Sequence, residues 1–396
     1  MRQIYLDNAS TSFPKPEAVA DAVYKYMTEG GANISRGSYA SATATAEAVF
    51  DVRCDLCAFF GAWDASNVVF SKNITEALNL IIKGLLHPGD HVLVSSLEHN
   101  AVMRPLQQIG EELSDKTPAH AISFSRIPAD SEGNMQLVLL PQLVRPNTRA
   151  VICTHASNVC GTLQPLAELG RFCRNYGLWF IVDTAQTAGS IAIDMQKLEI
   201  DALAFTGHKG LLGPQGIGGC ILSDEIAHCI TPLIVGGTGS ASHSEQQPDF
   251  LPDKFEAGTL NLPGIIGLGA ALRWLRLQSI EELHTRELAL TQQLLQGLQL
   301  LEDRQLLHIV GRHNCEARTS VVSISTQRLD IAALAYALSE DHGIATRVGL
   351  HCAPHAHKVL GTYPTGTLRF SPGWSNTTQD IENALQALEE VLTHGI

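Results

Sequence analysis

Leu178-Trp179-Phe180-Ile181-Val182-Asp183-Thr184-Ala185-Gln186 and, about one helical unit later, Ala202-Leu203-Ala204-Phe205-Thr206-Gly207-His208-Lys209-Gly210 decide the fold class. Each begins with an unbroken apolar run and then turns polar. Continuous rather than alternating runs suit strands buried on both faces of a parallel sheet. Similar runs stand at Asn67–Phe70, His91–Val94 and Ala150–Cys153, with helical patterns at Ala42–Phe60 and Thr75–Leu85. Strands interleaved with helices predict an α/β unit. From about Gly264 the texture changes. Leucines recur at helical spacing over Leu283–Leu301, Ser320–Ser325 alternates as a strand, and Thr367–Phe370 reads as another. Thr377 opens a last helix with Asp380 three residues on, the spacing of a capping box. The expected organisation is an N-terminal segment (1–25) packing on a small domain, a large domain (26–263) and a small α+β domain (264–396). Gly236–Pro252, polar and Gly-rich, reads as a surface loop.

The bulk numbers agree. At roughly 150 residues per domain, a chain of 396 residues holds two or three units. A 45 % apolar and 17 % charged composition excludes global disorder. The net charge of −13 argues against nucleic-acid or anionic-membrane binding, and no apolar run approaches the ~18 residues of a spanning helix. Asp7 falls where a signal peptide needs its apolar core, so a cytoplasmic protein is expected. Nine cysteines, an odd number, are then free thiols rather than a disulfide framework.

Asp183 and Lys209 each end a buried-looking run. Taken singly, one could be a helix cap and the other a solvated turn lysine. Together, at the strand ends where open α/β sheets bind ligands, they form the pair that pyridoxal phosphate requires. The lysine attaches the cofactor's aldehyde, and the carboxylate keeps the pyridine nitrogen protonated so that the ring serves as an electron sink. Asn73-Ile74-Thr75-Glu76 lies between a strand and a helix, where free N–H groups receive a phosphate. Glu98-His99-Asn100-Ala101 follows a strand, where an imidazole could stack on the ring. No Gly-x-Gly-x-x-Gly follows the first strand, which tells against a nicotinamide enzyme.

These stretches resemble the class V aminotransferase family of pyridoxal-phosphate enzymes, and within it the cysteine desulfurases. So do Tyr5-Leu6-Asp7-Asn8-Ala9, Ser157-Asn158-Val159-Cys160-Gly161, Phe255-Glu256-Ala257-Gly258-Thr259 and Arg347-Val348-Gly349-Leu350-His351-Cys352-Ala353, in the family's order. The resemblance implies the fold type I of pyridoxal-phosphate transferases, with a mainly parallel seven-stranded sheet and a smaller C-terminal domain. It implies that Lys209 binds the cofactor and His99 stacks on it and assists proton transfer. Asp183 would pair with the ring nitrogen and Gln186 contact the ring hydroxyl, while Ile74, Thr75, Thr206 and His208 hold the phosphate. Thr259 would reach the phosphate of a second subunit in a homodimer. Asn158 would lie beside cofactor and substrate, Arg369 would bind the substrate carboxylate, and Arg347 and Arg36 would complete the substrate site. Cys352 would attack the sulfur of L-cysteine, become a persulfide, release L-alanine and pass sulfur to an acceptor protein.

From its own surroundings, Cys352 is expected outside any helix or central strand, with Arg347 and His351 making an electropositive, accessible setting that favours the thiolate. The cluster His351-Cys352-Ala353-Pro354-His355-Ala356-His357 matches no four-ligand zinc spacing, so no metal is expected. Cys54 and Cys57 read as a core-facing helical pair, and the remaining six cysteines as structural. Two departures from the best-known desulfurases stand out: a longer spacer between Lys209 and Gly213-Pro214, and Asn8-Ala9-Ser10-Thr11 in place of an alanine-rich start. Selenocysteine lyase, another class V aminotransferase or lyase, and a non-catalytic thiol-bearing sensor are the competing readings.

Overall fold

The computed structural model describes residues 3–34, 37–116 and 121–395. Seven strands form the main sheet, in the order Val68–Ser71, Gly218–Leu222, Ala202–Thr206, Trp179–Asp183, Thr148–Thr154, His91–Ser95 and Ser123–Ile127. Gly218–Leu222 runs antiparallel to both neighbours, and every other adjacent pair is parallel. The apolar runs fill both faces of this sheet, as continuous runs require. Because the parallel strands run together, Asp183, Thr206 and the turns carrying His99 and Lys209 gather at one edge, the carboxyl ends of the strands.

Two strands have no counterpart among the apolar runs. Ser123–Ile127 is an edge strand, only partly buried over most of its length, so three of its five residues are polar and no apolar run marks it. Gly218–Leu222 begins with two glycines, which look like a loop. Sterics explain them. A Cβ on Gly219 would stand 2.2 Å from the Val69 carbonyl oxygen, and one on Gly218 would stand 2.8 Å from the Asn73 Cα. This close approach sets the N-terminus of the helix Ile74–Leu85 against the strand end that pairs with Thr206.

A second, four-stranded antiparallel sheet orders Arg347–Gly349, Thr367–Phe370, Val322–Ser325 and His308–Val310. It packs with the helices Ile280–Asp303, Ile331–Glu340 and Thr378–His394, the last closed by the Thr377–Asp380 capping box. The chain start splits its allegiance. Ile4–Tyr5 pairs with Ile344–Ala345, and Ile4 and Leu6 lie in the smaller core. Val19, on the helix Glu17–Lys25, lies in the larger one. The helix Leu262–Gln278 also packs in the larger core, through Ile265, Leu268 and Leu275, whereas Leu290 and Leu294 on the next helix belong to the smaller. Among the described residues, no helix is long and apolar enough to cross a membrane.

Candidate active site

The floor of the site is built from strand ends. Asp183 closes its strand 2 % exposed, and its Oδ1 accepts a 2.8 Å bond from the Ala185 N–H. Burial raises its pKa, opposed by that bond and by the Lys209 charge. The Lys209 turn is fastened from the chain start: Ser12 Oγ donates to the Lys209 carbonyl at 2.9 Å, and Thr11 Oγ1 and Lys15 Nζ donate to the His208 carbonyl. Burial, aided by Arg369, pushes the Lys209 ammonium down to about 8. Much of the amine is therefore neutral near that pH, the form that attacks an aldehyde.

His99 follows the strand His91–Ser95. Its Nδ1 accepts from the Ala101 N–H at 3.0 Å, and burial together with the Lys209 charge lowers it to about 4. The imidazole is neutral, with its proton on Nε2. Gln186 Nε2 donates to the Ala9 carbonyl at 3.1 Å. Thr75 is exposed in the first turn of its helix, whereas the Ile74 side chain lies in the core and can offer a ligand only its backbone.

Pyridoxal phosphate can be tested against these residues. The Thr206 hydroxyl and His208 Nδ1 are buried and unpartnered. Buried polar atoms nearly always find a partner, so these two orphans, one of them on the strand end that meets the helix N-terminus at Asn73, mark a place for an anion. With an amine depressed to about 8 and a buried carboxylate at neighbouring strand ends, the donor set fits the cofactor.

The opposite wall comes from the smaller sheet. Arg369 is 3 % exposed; its Nη2 bonds Asp7 Oδ1 at 3.1 Å and Ser10 Oγ at 2.9 Å, and its Nη1 bonds the Asn158 carbonyl at 3.0 Å. Arg347 bonds the same Ser10 hydroxyl at 2.8 Å and pairs with Asp7 at 3.2 Å. Cys352 is exposed, just ahead of the helix Pro354–Val359, and its carbonyl accepts the Asn100 N–H at 2.8 Å. Thus the residue after His99 touches the thiol-bearing turn directly.

Its electrical setting differs from the expected one. Burial and the Arg369 charge hold His351 down at about 2, so it is a neutral imidazole, and the positive charge on this wall comes from Arg347 and Arg369, which share the single carboxylate of Asp7. The Cys54–Cys57 expectation holds only in part, since Cys57 packs against the larger core and Cys54 does not. Cys54 is exposed and Cys57 only half-buried, because the core face of the helix Ala40–Phe59 is formed by Val49, Val52, Arg53 and Leu56. Thr259 stands exposed in a hollow shared with Ser71, Lys72 and Leu233, close in sequence to Glu256, which is locked by a buried 2.6 Å ion pair with Arg53. Arg36 lies outside the described residues.

Two site residues carried no role in the sequence reading, although both stand in the quoted stretches. Asp7 is the counter-charge of both wall arginines. Glu98 is 1 % exposed; its Oε1 accepts from Ser95 Oγ at 2.5 Å and from the Thr154 N–H at 2.7 Å, joining the His99 turn to the neighbouring strand. Its Oε2 has no partner, and burial pushes its pKa up to about 8.

Residues 4–384 match the family model of class V aminotransferases. A probable cysteine desulfurase of Methanothermobacter thermautotrophicus is 32 % identical over 99 % of this chain and 95 % of its own length. The cysteine desulfurase CsdA of Escherichia coli is 31 % identical over 98 % of this chain and 94 % of its own. Among solved structures, the apo cysteine desulfurase of Thermococcus onnurineus superposes with a TM-score of 0.90 at 31 % identity, covering 99 % of this chain and 95 % of that one. Family match and strand-end geometry agree over nearly the whole length, and this chain belongs to the class V aminotransferases.

Proposed function

We propose that the chain is a pyridoxal-phosphate-dependent cysteine desulfurase that converts L-cysteine to L-alanine and carries the sulfur as a persulfide on Cys352. One observation carries the reading: the exposed Cys352 sits on a turn bonded to Asn100, the residue after His99, and the His99 ring feels the charge of Lys209, which stands beside the buried Asp183. Relatives named cysteine desulfurases, aligned over nearly the whole chain, support it.

Pyridoxal phosphate would supply an aldehyde for the substrate amine and an electron sink for the bond that breaks. Thr206, His208 and the first turn at Ile74–Thr75 would hold its phosphate. Asp183 would hold the ring-nitrogen proton, and Gln186 and Asn158 would border the ring. The neutral His99 imidazole would stack on the ring, and with Nδ1 engaged by the Ala101 N–H it can assist proton transfer only through the proton it carries on Nε2. Lys209 moves a proton at the substrate carbons once its amine is free. Arg369 binds the substrate carboxylate, for which it exchanges part of its contact with Asp7, and Arg347 and Arg36 frame the same end. The Cys352 thiolate forms an S–S bond to the substrate sulfur. The substrate's carbon–sulfur bond breaks, its electron pair stays with the carbon skeleton, and protonation there releases L-alanine. The outer sulfur then leaves to an acceptor thiol.

The working unit is a homodimer in a reducing compartment, the cytoplasm. Thr259 faces the second copy beside the exposed Leu233, Ile234 and Val235, a row of apolar side chains that a second chain would cover. The decisive experiment measures alanine and sulfide together from L-cysteine, for wild type and Cys352→Ala. Matched yields in wild type and loss of both in the variant are expected. Alanine without persulfide or sulfide would sink the reading, and turnover of L-selenocysteine alone would make the chain a selenocysteine lyase.

A further inference from the structure

The turn that carries the thiol runs against the preference of its own residues. His351 and Cys352 have φ of +47° and +56°, the left-handed region that side chains with a Cβ avoid. Neither is glycine, so outside contacts must hold the turn. The Asn100 N–H takes the Cys352 carbonyl. Asn158 Nδ2 donates to the His351 carbonyl at 2.7 Å.

A second route starts at the His351 ring. Its Nε2 bonds Thr367 Oγ1 at 2.9 Å, Thr367 donates to Ser323 Oγ at 3.3 Å, and Ser323 donates to the Val159 carbonyl at 2.6 Å. The neutrality of the ring suits this relay, in which Nε2 donates once and charges nothing. Both the carbonyl and the ring of His351 therefore lead to Asn158-Val159, which extends from the strand Thr148–Thr154 of the larger sheet. The same Asn158 receives Arg369 Nη1 on its backbone carbonyl.

We infer that Asn158 is a positioning residue for the nucleophile: its side-chain amide, backed by the relay to Val159, holds the left-handed His351–Cys352 turn and ties the thiol's placement to the Arg369 guanidinium. This rests on the reading of Cys352 as nucleophile and adds to it what places that nucleophile.

The test uses the full chain with cofactor, and again without it. Amide hydrogen exchange is followed at Asn100 and Ala353. Alkylation of Cys352 by iodoacetamide is followed by peptide mass spectrometry, because Cys54 is also exposed. Loss of one hydrogen bond in Asn158→Ala or Asn158→Asp is expected to raise both rates about tenfold. Asn158→Gln, which keeps the amide donor, should recover part of the difference. Thr367→Val, which cuts only the ring route, should give a smaller rise and keeps the proposal testable if Asn158→Ala does not fold. Persulfide formation on Cys352 in a single turnover should slow in step with the exchange rates.

Unchanged exchange and alkylation in both Asn158→Ala and Asn158→Asp overturn the proposal. A raised KM for L-cysteine with unchanged exchange overturns it too, since Asn158 would then act on substrate alone. If wild type makes no alanine, the desulfurase reading fails while the exchange data still report on the tether, so the two failures are distinct.

Discussion

Lys209 and Cys352, the two residues proposed to do the chemistry, are held in opposite ways. Lys209 stands just past a strand in the middle of a seven-stranded sheet, on a turn fastened by Thr11, Ser12 and Lys15. Its surroundings are dry enough to bring an ammonium down to about 8. Cys352 stands in solvent on a turn whose two central residues are left-handed and whose anchors come from the other sheet. The floor is placed by topology and tuned by burial. The wall is placed by hydrogen bonds against local preference, and its thiol stays reachable, as the proposed passage of sulfur to an acceptor would require.

The largest effects should separate floor from wall. Lys209→Ala and Cys352→Ala are each expected to cut alanine formation by at least about 10³-fold. They should differ in cofactor attachment. Borohydride reduction of the loaded protein should fix pyridoxal phosphate to the wild type and to Cys352→Ala, and not to Lys209→Ala. If Cys352→Ala also lost the attachment, the two regions would not be independent and the comparison would break.

A smaller effect probes how dry the floor is. The neutral amine attacks the aldehyde, so loading of cofactor-free protein should quicken about tenfold per pH unit below the Lys209 pKa and level off above about 8. A rate still climbing at pH 10, as for an ordinary lysine, would mean that water reaches the floor. Stopped-flow absorbance of loading across pH distinguishes the two.

Glu98 tests how the floor is stitched. Glu98→Ala leaves the Thr154 N–H without its partner and should cost about 1–3 kcal/mol in denaturant unfolding of the cofactor-free chain. Glu98→Gln keeps an acceptor and should cost far less. The pH dependence carries a definite sign. The folded pKa is raised from 4.5 to about 8, so the folded chain binds the extra proton between those values and Glu98 loses stability as pH rises. Glu98→Gln has no such proton. Its stability relative to wild type should therefore improve from pH 5 to pH 8, and a pH-independent gap would show that the carboxyl is ionised throughout.

What the sequence reveals about these two regions follows the same division. Parallel strands buried on both faces write themselves as apolar runs, so Asp183 and Lys209 could be found by where the runs stop. Gly218–Leu222 escaped that signal because its glycines answer to Val69 and Asn73, distant neighbours that no local pattern records. Around Cys352 the signal fails further. Nothing in Val348-Gly349-Leu350-His351-Cys352 announces two left-handed residues, and the partners that hold them lie at Asn100, Asn158 and Thr367. The adjacent His351 suggested a cation next to the thiol, but charge depends on burial, and burial makes the ring neutral. Asp7 was visible as a residue and silent as a partner, since its two arginines lie more than three hundred positions away.

The smallest expected effect bears most directly on the wall. If the Cys352 backbone is strained for the sake of its thiol, then among variants that lack the thiol the one without a Cβ should be the more stable. Cys352→Gly and Cys352→Ala remove the same sulfur and are both expected to be inactive, so the difference between them isolates the backbone. At φ +56° an alanine Cβ carries the left-handed penalty of about 1–2 kcal/mol, while glycine loses about 0.5–1 kcal/mol more conformational freedom on folding. Cys352→Gly should therefore be more stable than Cys352→Ala by about 0.5–1 kcal/mol in denaturant unfolding. The same pair at Val159, a buried position where no positive φ is recorded, should favour alanine. A preference for alanine at residue 352 would show that the turn relaxes when the thiol is gone, and that its left-handed form belongs to the side chain rather than to the anchors at Asn100 and Asn158.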